Sequence, residues 1–163
     1  MSEKKELKIA IDVYANEAEL PEHLRVLWHN ATAATNNAYA PYSNFHVGAA
    51  LLLSDGSILQ GNNQENAAYP SGLCAERTAL FYASANYGQH QVKAIAVAAR
   101  PSLKPTHFLP IVPCGGCRQV MREYEYKQKQ NIQILLPTDG GKFYVFDSVA
   151  ALLPLSFDAS QLA

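Results

Sequence analysis

Apolar residues recur along this chain with two different periods. Leu7, Ile9, Ile11 and Val13 alternate with Lys8, Ala10 and Asp12. That alternation predicts a strand over residues 7–13, at a sheet edge because charges interrupt it. From Pro21 the period lengthens. Leu24, Leu27, Trp28, Ala31 and Ala34 fall at helical spacing, and Pro21 suits the first position of a helix, so a helix is expected over 21–39. Ala40-Pro41-Tyr42-Ser43-Asn44 ends it. The apolar run over 46–53 reads as a buried strand. Asp55-Gly56 then turns the chain, and 57–62 returns antiparallel.

Residues 63–73, with Asn, Pro and Gly, read as an irregular loop. Strong helix formers over 74–85 predict a second helix. Short apolar strands follow at 94–99 and 132–136, with a third long helix over 114–129 between them. A loop over 101–113 holds four prolines. Asp139-Gly140-Gly141 is a turn before a strand at 142–145, and 147–152 reads as a short helix ending at Leu153-Pro154. Helices alternating with short apolar strands imply an α/β domain: a three-layer α-β-α arrangement with a mixed sheet of about five strands. Residues 21–163 form one catalytic domain in this reading, and 1–20 an N-terminal extension that carries the edge strand.

Composition narrows the function classes. The chain has 163 residues, 48% hydrophobic and 17% charged, which is globular rather than disordered. Its formal net charge is −1, from 13 basic and 14 acidic residues. A nucleic-acid or anionic-membrane partner would call for a basic excess, so neither is expected. No stretch reaches the ~18 apolar residues of a membrane span, and no apolar run follows the charged N-terminus as a signal peptide requires. The expected location is therefore the cytoplasm. Three cysteines cannot all pair as disulfides, and a reducing compartment suits thiolates held for a metal.

The chemistry concentrates in Leu73-Cys74-Ala75-Glu76-Arg77 and Pro113-Cys114-Gly115-Gly116-Cys117-Arg118, which together contain every cysteine. Cys114 and Cys117 share one face of a helix that starts after Pro113. Cys74 also stands where a helix begins, and helix N-termini favour thiolates. Three thiolates with no fourth cysteine, and with His23, His29, His46, His90 and His107 outside ligand spacing, describe a zinc site with one open position. Closed four-ligand sites are structural, whereas open ones do chemistry. A structural zinc module would need a fourth protein ligand. A Cys-x-x-Cys redox pair would leave Cys74 unused. Cys74 and Glu76 are two apart and cannot face one point on a regular helix, so Cys74 must lie just outside it. The metal set carries +2 − 3 = −1, and Arg77 and Arg118 each stand beside a ligand. Both are candidates to donate to a sulfur, Arg77 above all.

Asn63-x-Glu65-Asn66-Ala67-Ala68-Tyr69, then Cys74-Ala75-Glu76-Arg77, then Pro113-Cys114-Gly115-x-Cys117-Arg118-Gln119, resemble the cytidine deaminases, of the small homotetrameric kind with an all-cysteine zinc site. The resemblance covers residues 39–157. It implies one Zn2+ per chain on Cys74, Cys114 and Cys117, with Glu76 as the proton shuttle. It implies that Asn63 and Glu65 hydrogen-bond a ribose, that Phe45 contacts a pyrimidine ring, and that the backbone of Ala75 faces the base. Phe157 resembles the C-terminal aromatic that completes a neighbouring subunit's pocket. The activity implied is hydrolytic deamination of cytidine and deoxycytidine in pyrimidine salvage. His46 after Phe45, and Pro70-Ser71-Gly72-Leu73 before Cys74, alter the pocket rim relative to the commonest pattern.

Overall fold

The computed structural model describes residues 2–162. Six strands, β1 (Asp12–Tyr14), β2 (Phe45–Leu53), β3 (Ile58–Asn62), β4 (Val92–Pro101), β5 (Gln133–Pro137) and β6 (Phe143–Phe146), form one sheet in the order β1-β6-β5-β4-β2-β3. Only β4 and β5 run parallel. Parallel neighbours need a long crossover, which is supplied by helix α3 (Gly115–Gln128). Helix α1 (Glu22–Ala34) covers one face of the sheet, and α2 (Ala75–Asn86) joins α3 on the other. No described helix is long and apolar enough to cross a membrane.

The three layers follow from two-sided burial. On the inner strands both faces are apolar. Ala49, Leu51 and Val97 enter a core with Ala79, Leu80, Cys117 and Met121, while Ala50, Ala96 and Ala98 meet Leu24, Leu27 and Trp28. Alanines on the second face leave room for α1 to approach. Gly48 takes this furthest: a Cβ there would sit 2.2 Å from the Ala31 carbonyl oxygen.

Three elements depart most from the sequence reading. The strand expected over 7–13 contracts to Asp12–Tyr14, paired with Val145, Tyr144 and Phe143. Its neighbour β6 ends at Phe146, so Leu7 and Ile9 have no strand beside them and stay exposed. With this edge strand, which the sequence reading expected, the sheet has six strands against about five anticipated. The helix expected over 21–39 ends at Ala34 and tightens into a 3-10 turn, Thr35–Asn37. There the Thr35 hydroxyl is drawn to the Thr32 carbonyl (2.7 Å) and accepts from buried Arg100 (2.8 Å), and the Tyr39 amide turns to the Asn63 carbonyl. The short helix expected over 147–152 is a single 3-10 turn, Val149–Ala151.

The loop over 63–73 is tied at both ends. Gln64 and Leu73 exchange two backbone hydrogen bonds of 2.9 Å, and Glu65 N–H donates to the Tyr39 carbonyl at 2.8 Å. These ties deliver the chain to Cys74 at a fixed point beside the end of β3.

Candidate active site

Two helix starts converge on one point. Cys74 is the residue before α2, with extended φ −73 and ψ 155, and Glu76 lies in the first turn. The irregular start that residues 74 and 76 require is therefore present, and both side chains line the same cavity. Cys114 precedes α3 in the same way, with φ −67 and ψ 164, and Cys117 is buried in the first turn. The three sulfur atoms all lie within 4.8 Å of one another, so the set could hold a metal ion. Both helix N-termini direct their positive dipole ends at this cluster.

The position of α2 is set by close contact with β3. Gly61 lies against the first turns of the helix, where a Cβ would stand 2.6 Å from Ala79 N and 2.7 Å from Ala75 O. Only glycine allows this approach. It holds Ala75 fully buried between Cys74 and Glu76.

The electrostatics suit a metal. A hydrogen bond from Cys117 draws the Cys74 thiol down to about 5 against the opposing effect of burial, and Arg77 adds to the fall. Cys117 is pushed up, because it holds the proton of that bond and is itself buried. The proton left on Cys117 is one that a bound cation would displace. Arg77 Nη2 donates to Cys74 Sγ at 3.6 Å. Its buried Nε has no partner. Glu76 is 4% exposed. Burial raises its pKa, with the charge on Cys74 adding to the effect. A carboxyl that readily holds a proton here can also return one.

Arg118 does not act as expected. It donates to the Pro113 carbonyl (2.8 Å) and to the Leu152 carbonyl (2.8 Å), not to a sulfur. Lying a full turn past Cys114, it points back along the helix and braces the loop that precedes that cysteine.

A cavity of about 660 Å³ opens beside the sulfurs, and Cys74, Glu76, Arg77 and Cys114 form one wall. Asn63 and Glu65 line the same cavity. Asn63 Oδ1 accepts from Val47 N–H (2.8 Å) and its Nδ2 donates to the Phe45 carbonyl (2.9 Å), so it completes the edge of β2. Glu65 accepts from the Tyr42 and Ser43 amides at 2.9 and 3.3 Å. The Ser43 hydroxyl, ahead of these amides, holds its carboxyl below the usual range. Each side chain keeps further hydrogen-bonding capacity.

The remaining expected residues are placed differently. Phe45 is half-buried at the start of β2 and does not line the cavity, although Val47, on the same face of the strand, does. Phe157 is 58% exposed and lies outside this chain's own cavity. The sequence reading missed Ile111 and Val112, which add apolar lining to the cavity. They sit in the proline-rich loop, where no period marks a cavity-lining position.

Comparison with known proteins agrees with this geometry. Residues 21–131 match the cytidine and deoxycytidylate deaminase zinc-binding region. A cytidine deaminase of Halalkalibacterium halodurans is 50% identical over 99 residues, 61% of this chain and 70% of the relative. The crystal structure of cytidine deaminase from Burkholderia pseudomallei superposes with a TM-score of 0.69 at 45% identity, covering 85% of this chain and all of the other. That of Mycobacterium tuberculosis gives 0.63 at 32% identity, over 83% and 97% of the two chains. The match spans most of the chain and includes both cysteine segments, and on that ground this protein belongs to the cytidine and deoxycytidylate deaminase zinc-binding family.

Proposed function

We propose that the chain is a hydrolase that deaminates cytidine, and deoxycytidine with it, to uridine or deoxyuridine and ammonia. The observation that carries this reading is the set of three sulfurs within 4.8 Å of one another beside the buried carboxyl of Glu76. Cys74, Cys114 and Cys117 would hold one Zn2+ per chain. Three soft donors fit that ion and leave a fourth position free. Bound there, the ion supplies Lewis acidity, which lets a water lose its proton near neutral pH.

The protein's own residues do the rest. Glu76 takes the proton of the attacking water and gives it to ring N3 as the oxygen bonds to C4. It then takes the remaining proton from the new C4 hydroxyl and passes it to the exocyclic amine, the C4–N bond breaks as the C4 carbonyl forms, and ammonia leaves. One carboxyl can serve both transfers because burial raises its pKa above the ordinary carboxylate value and so makes its protonated form easier to reach. Arg77 draws charge from Cys74, offsetting the surplus negative charge of three thiolates. Asn63 and Glu65 address the ribose with the hydrogen-bonding capacity that Phe45, Val47, Tyr42 and Ser43 leave free. Phe45 and the Ala75 backbone are assigned to the base by family resemblance alone, since neither lines this chain's own cavity.

Phe157 is read as reaching the cavity of a second copy, in a homotetramer with shared sites. Its exposure, together with the apolar Val112 and Tyr69 at the cavity rim, supports this reading. A place in pyrimidine salvage in the cytoplasm fits three reduced thiols. The deciding experiment follows cytidine absorbance in the ultraviolet with the zinc-loaded protein, with and without a chelator. Loss of absorbance that the chelator abolishes is expected. No turnover with zinc bound would overturn the reading.

A further inference from the structure

Beyond the cavity, the C-terminal segment is ordered in an unusual way. Its backbone and polar side chains are tied to α3, and its apolar side chains are left out. Gln119 Nε2 donates to the Phe157 carbonyl at 2.8 Å. Arg122 donates to Ser156 Oγ at 3.0 Å and to Asp158 Oδ2 at 3.2 Å. Arg122 is held in turn by Glu125 at 3.4 Å. Glu125 is buried and accepts from Ile132 N–H, Val149 N–H and the Ser148 hydroxyl, at 2.9, 2.9 and 2.8 Å. A carboxylate fixed in the core thus fixes a guanidinium, and the guanidinium fixes the tail.

Between these ties Leu155 is 92% exposed and Phe157 58% exposed. Leu155 also has a positive φ of 56°, a conformation that costs a bulky residue energy and persists only when its surroundings impose it. Chain termini fray unless tied down. Here the ties serve to aim apolar side chains at solvent, which is the signature of a surface that meets a partner.

We propose that Arg122, helped by Gln119, is a positioning residue that sets the Leu155–Phe157 finger for the cavity of a second copy. It does so from α3, the helix that begins at Cys114 and Cys117. The proposal rests on the reading that Phe157 serves a neighbouring cavity. Its new content is the brace: pre-ordering the finger lowers the entropy lost when a substrate pocket is completed.

The test uses the zinc-loaded full chain, with kcat and KM for cytidine measured in four proteins. These are Phe157→Ala, Arg122→Ala, the double variant, and Ser156→Ala with Asp158→Ala combined. The last removes both acceptors that tie the tail to Arg122 while leaving Arg122 on Glu125, so it remains informative if Arg122→Ala folds poorly. Releasing the brace should raise KM about 10-fold, with kcat changed less than about 3-fold. The Arg122→Ala effect should vanish in the Phe157→Ala background, since groups acting through one another are not additive. Co-production of Glu76→Gln and Phe157→Ala chains should restore low-KM turnover, because one copy supplies the finger and the other the carboxyl. An unchanged KM in Phe157→Ala would overturn the underlying reading of Phe157. A raised KM there, with no change in the Ser156/Asp158 variant or with full additivity in the cycle, would overturn the brace alone.

Discussion

Gly61→Ala adds a single methyl group at the point where β3 meets α2, and its consequences can be worked through from the structure. The new Cβ would lie 2.6 Å from Ala79 N, 2.7 Å from Ala75 O and 2.8 Å from Ala79 Cβ. Non-bonded carbon contacts are optimal from about 3.5 Å, so the shortfall at Ala79 N is 3.5 − 2.6, about 0.9 Å. The atoms in the way are mainly backbone, so no side chain can swing aside. The first turns of α2 must retreat from the strand, carrying Cys74 and Glu76 with them. Overpacking of this kind costs about 1–3 kcal/mol. At this chain length each kcal/mol lowers Tm by roughly 2–4 °C, so a fall of roughly 2–12 °C is expected. A displacement of about 1 Å at reacting groups can cost about 100-fold in rate. The expected outcome is a folded protein with lowered Tm and kcat reduced by about 10- to 100-fold. Gly116→Ala is the control: nothing lies within 4 Å of its Cβ, and alanine in a helix is favoured over glycine by up to about 1 kcal/mol. Thermal unfolding and cytidine turnover on both variants decide the matter. Unchanged Tm and kcat in Gly61→Ala would mean that this contact does not set the site.

Glu76→Gln should fold and load zinc yet lose turnover by at least about 100-fold; substantial residual activity would remove Glu76 from the proton transfers. Arg77→Ala takes away the 3.6 Å donor to Cys74 and should lower turnover while part of the zinc is kept, as measured by metal analysis beside kinetics; full activity with unchanged zinc affinity refutes its role. Cys74→Ala should lose zinc and lower Tm, because metal binding contributes to the folded state; a zinc-loaded variant would contradict the assignment. Asp158 is held below its ordinary 3.8, first by the Ser160 hydroxyl and amide and then by Arg122. A depressed carboxylate stabilises above its unfolded pKa and loses that contribution as pH falls through its folded pKa. The tail should therefore loosen only in acid below about pH 4. Carboxyl carbon shifts by NMR should titrate below 3.8 in the parent and higher in Ser160→Ala; an unmoved midpoint refutes the attribution.

Much of this protein is local in origin, and local features are readable. The helical spacing of Leu24, Leu27, Trp28 and Ala31, the Asp55-Gly56 turn and the apolar strand runs identified the elements within a few residues. Three cysteines at two helix starts identified the donor chemistry, because donor type and spacing are properties of short segments. The i, i+2 conflict between Cys74 and Glu76 even required the extended residue found before α2.

What the sequence could not decide depends on neighbours distant along the chain. Leu7 and Ile9 carry a strand period, yet no partner strand reaches them, because β6 stops at Phe146. Pairing, unlike periodicity, needs a second segment. Arg118 sits beside a ligand in sequence, but its helical direction and the position of Leu152 take it to carbonyls instead. Ile111 and Val112 become cavity-lining residues only because the loop after β4 runs beside the cysteine cluster. Composition and periodicity thus determined which elements and which donors this chain has. The tertiary structure alone decided their distances, since these depend on contacts such as Gly61 against α2 and Gly48 against α1, where the absence of a side chain matters only once the opposing backbone is in place.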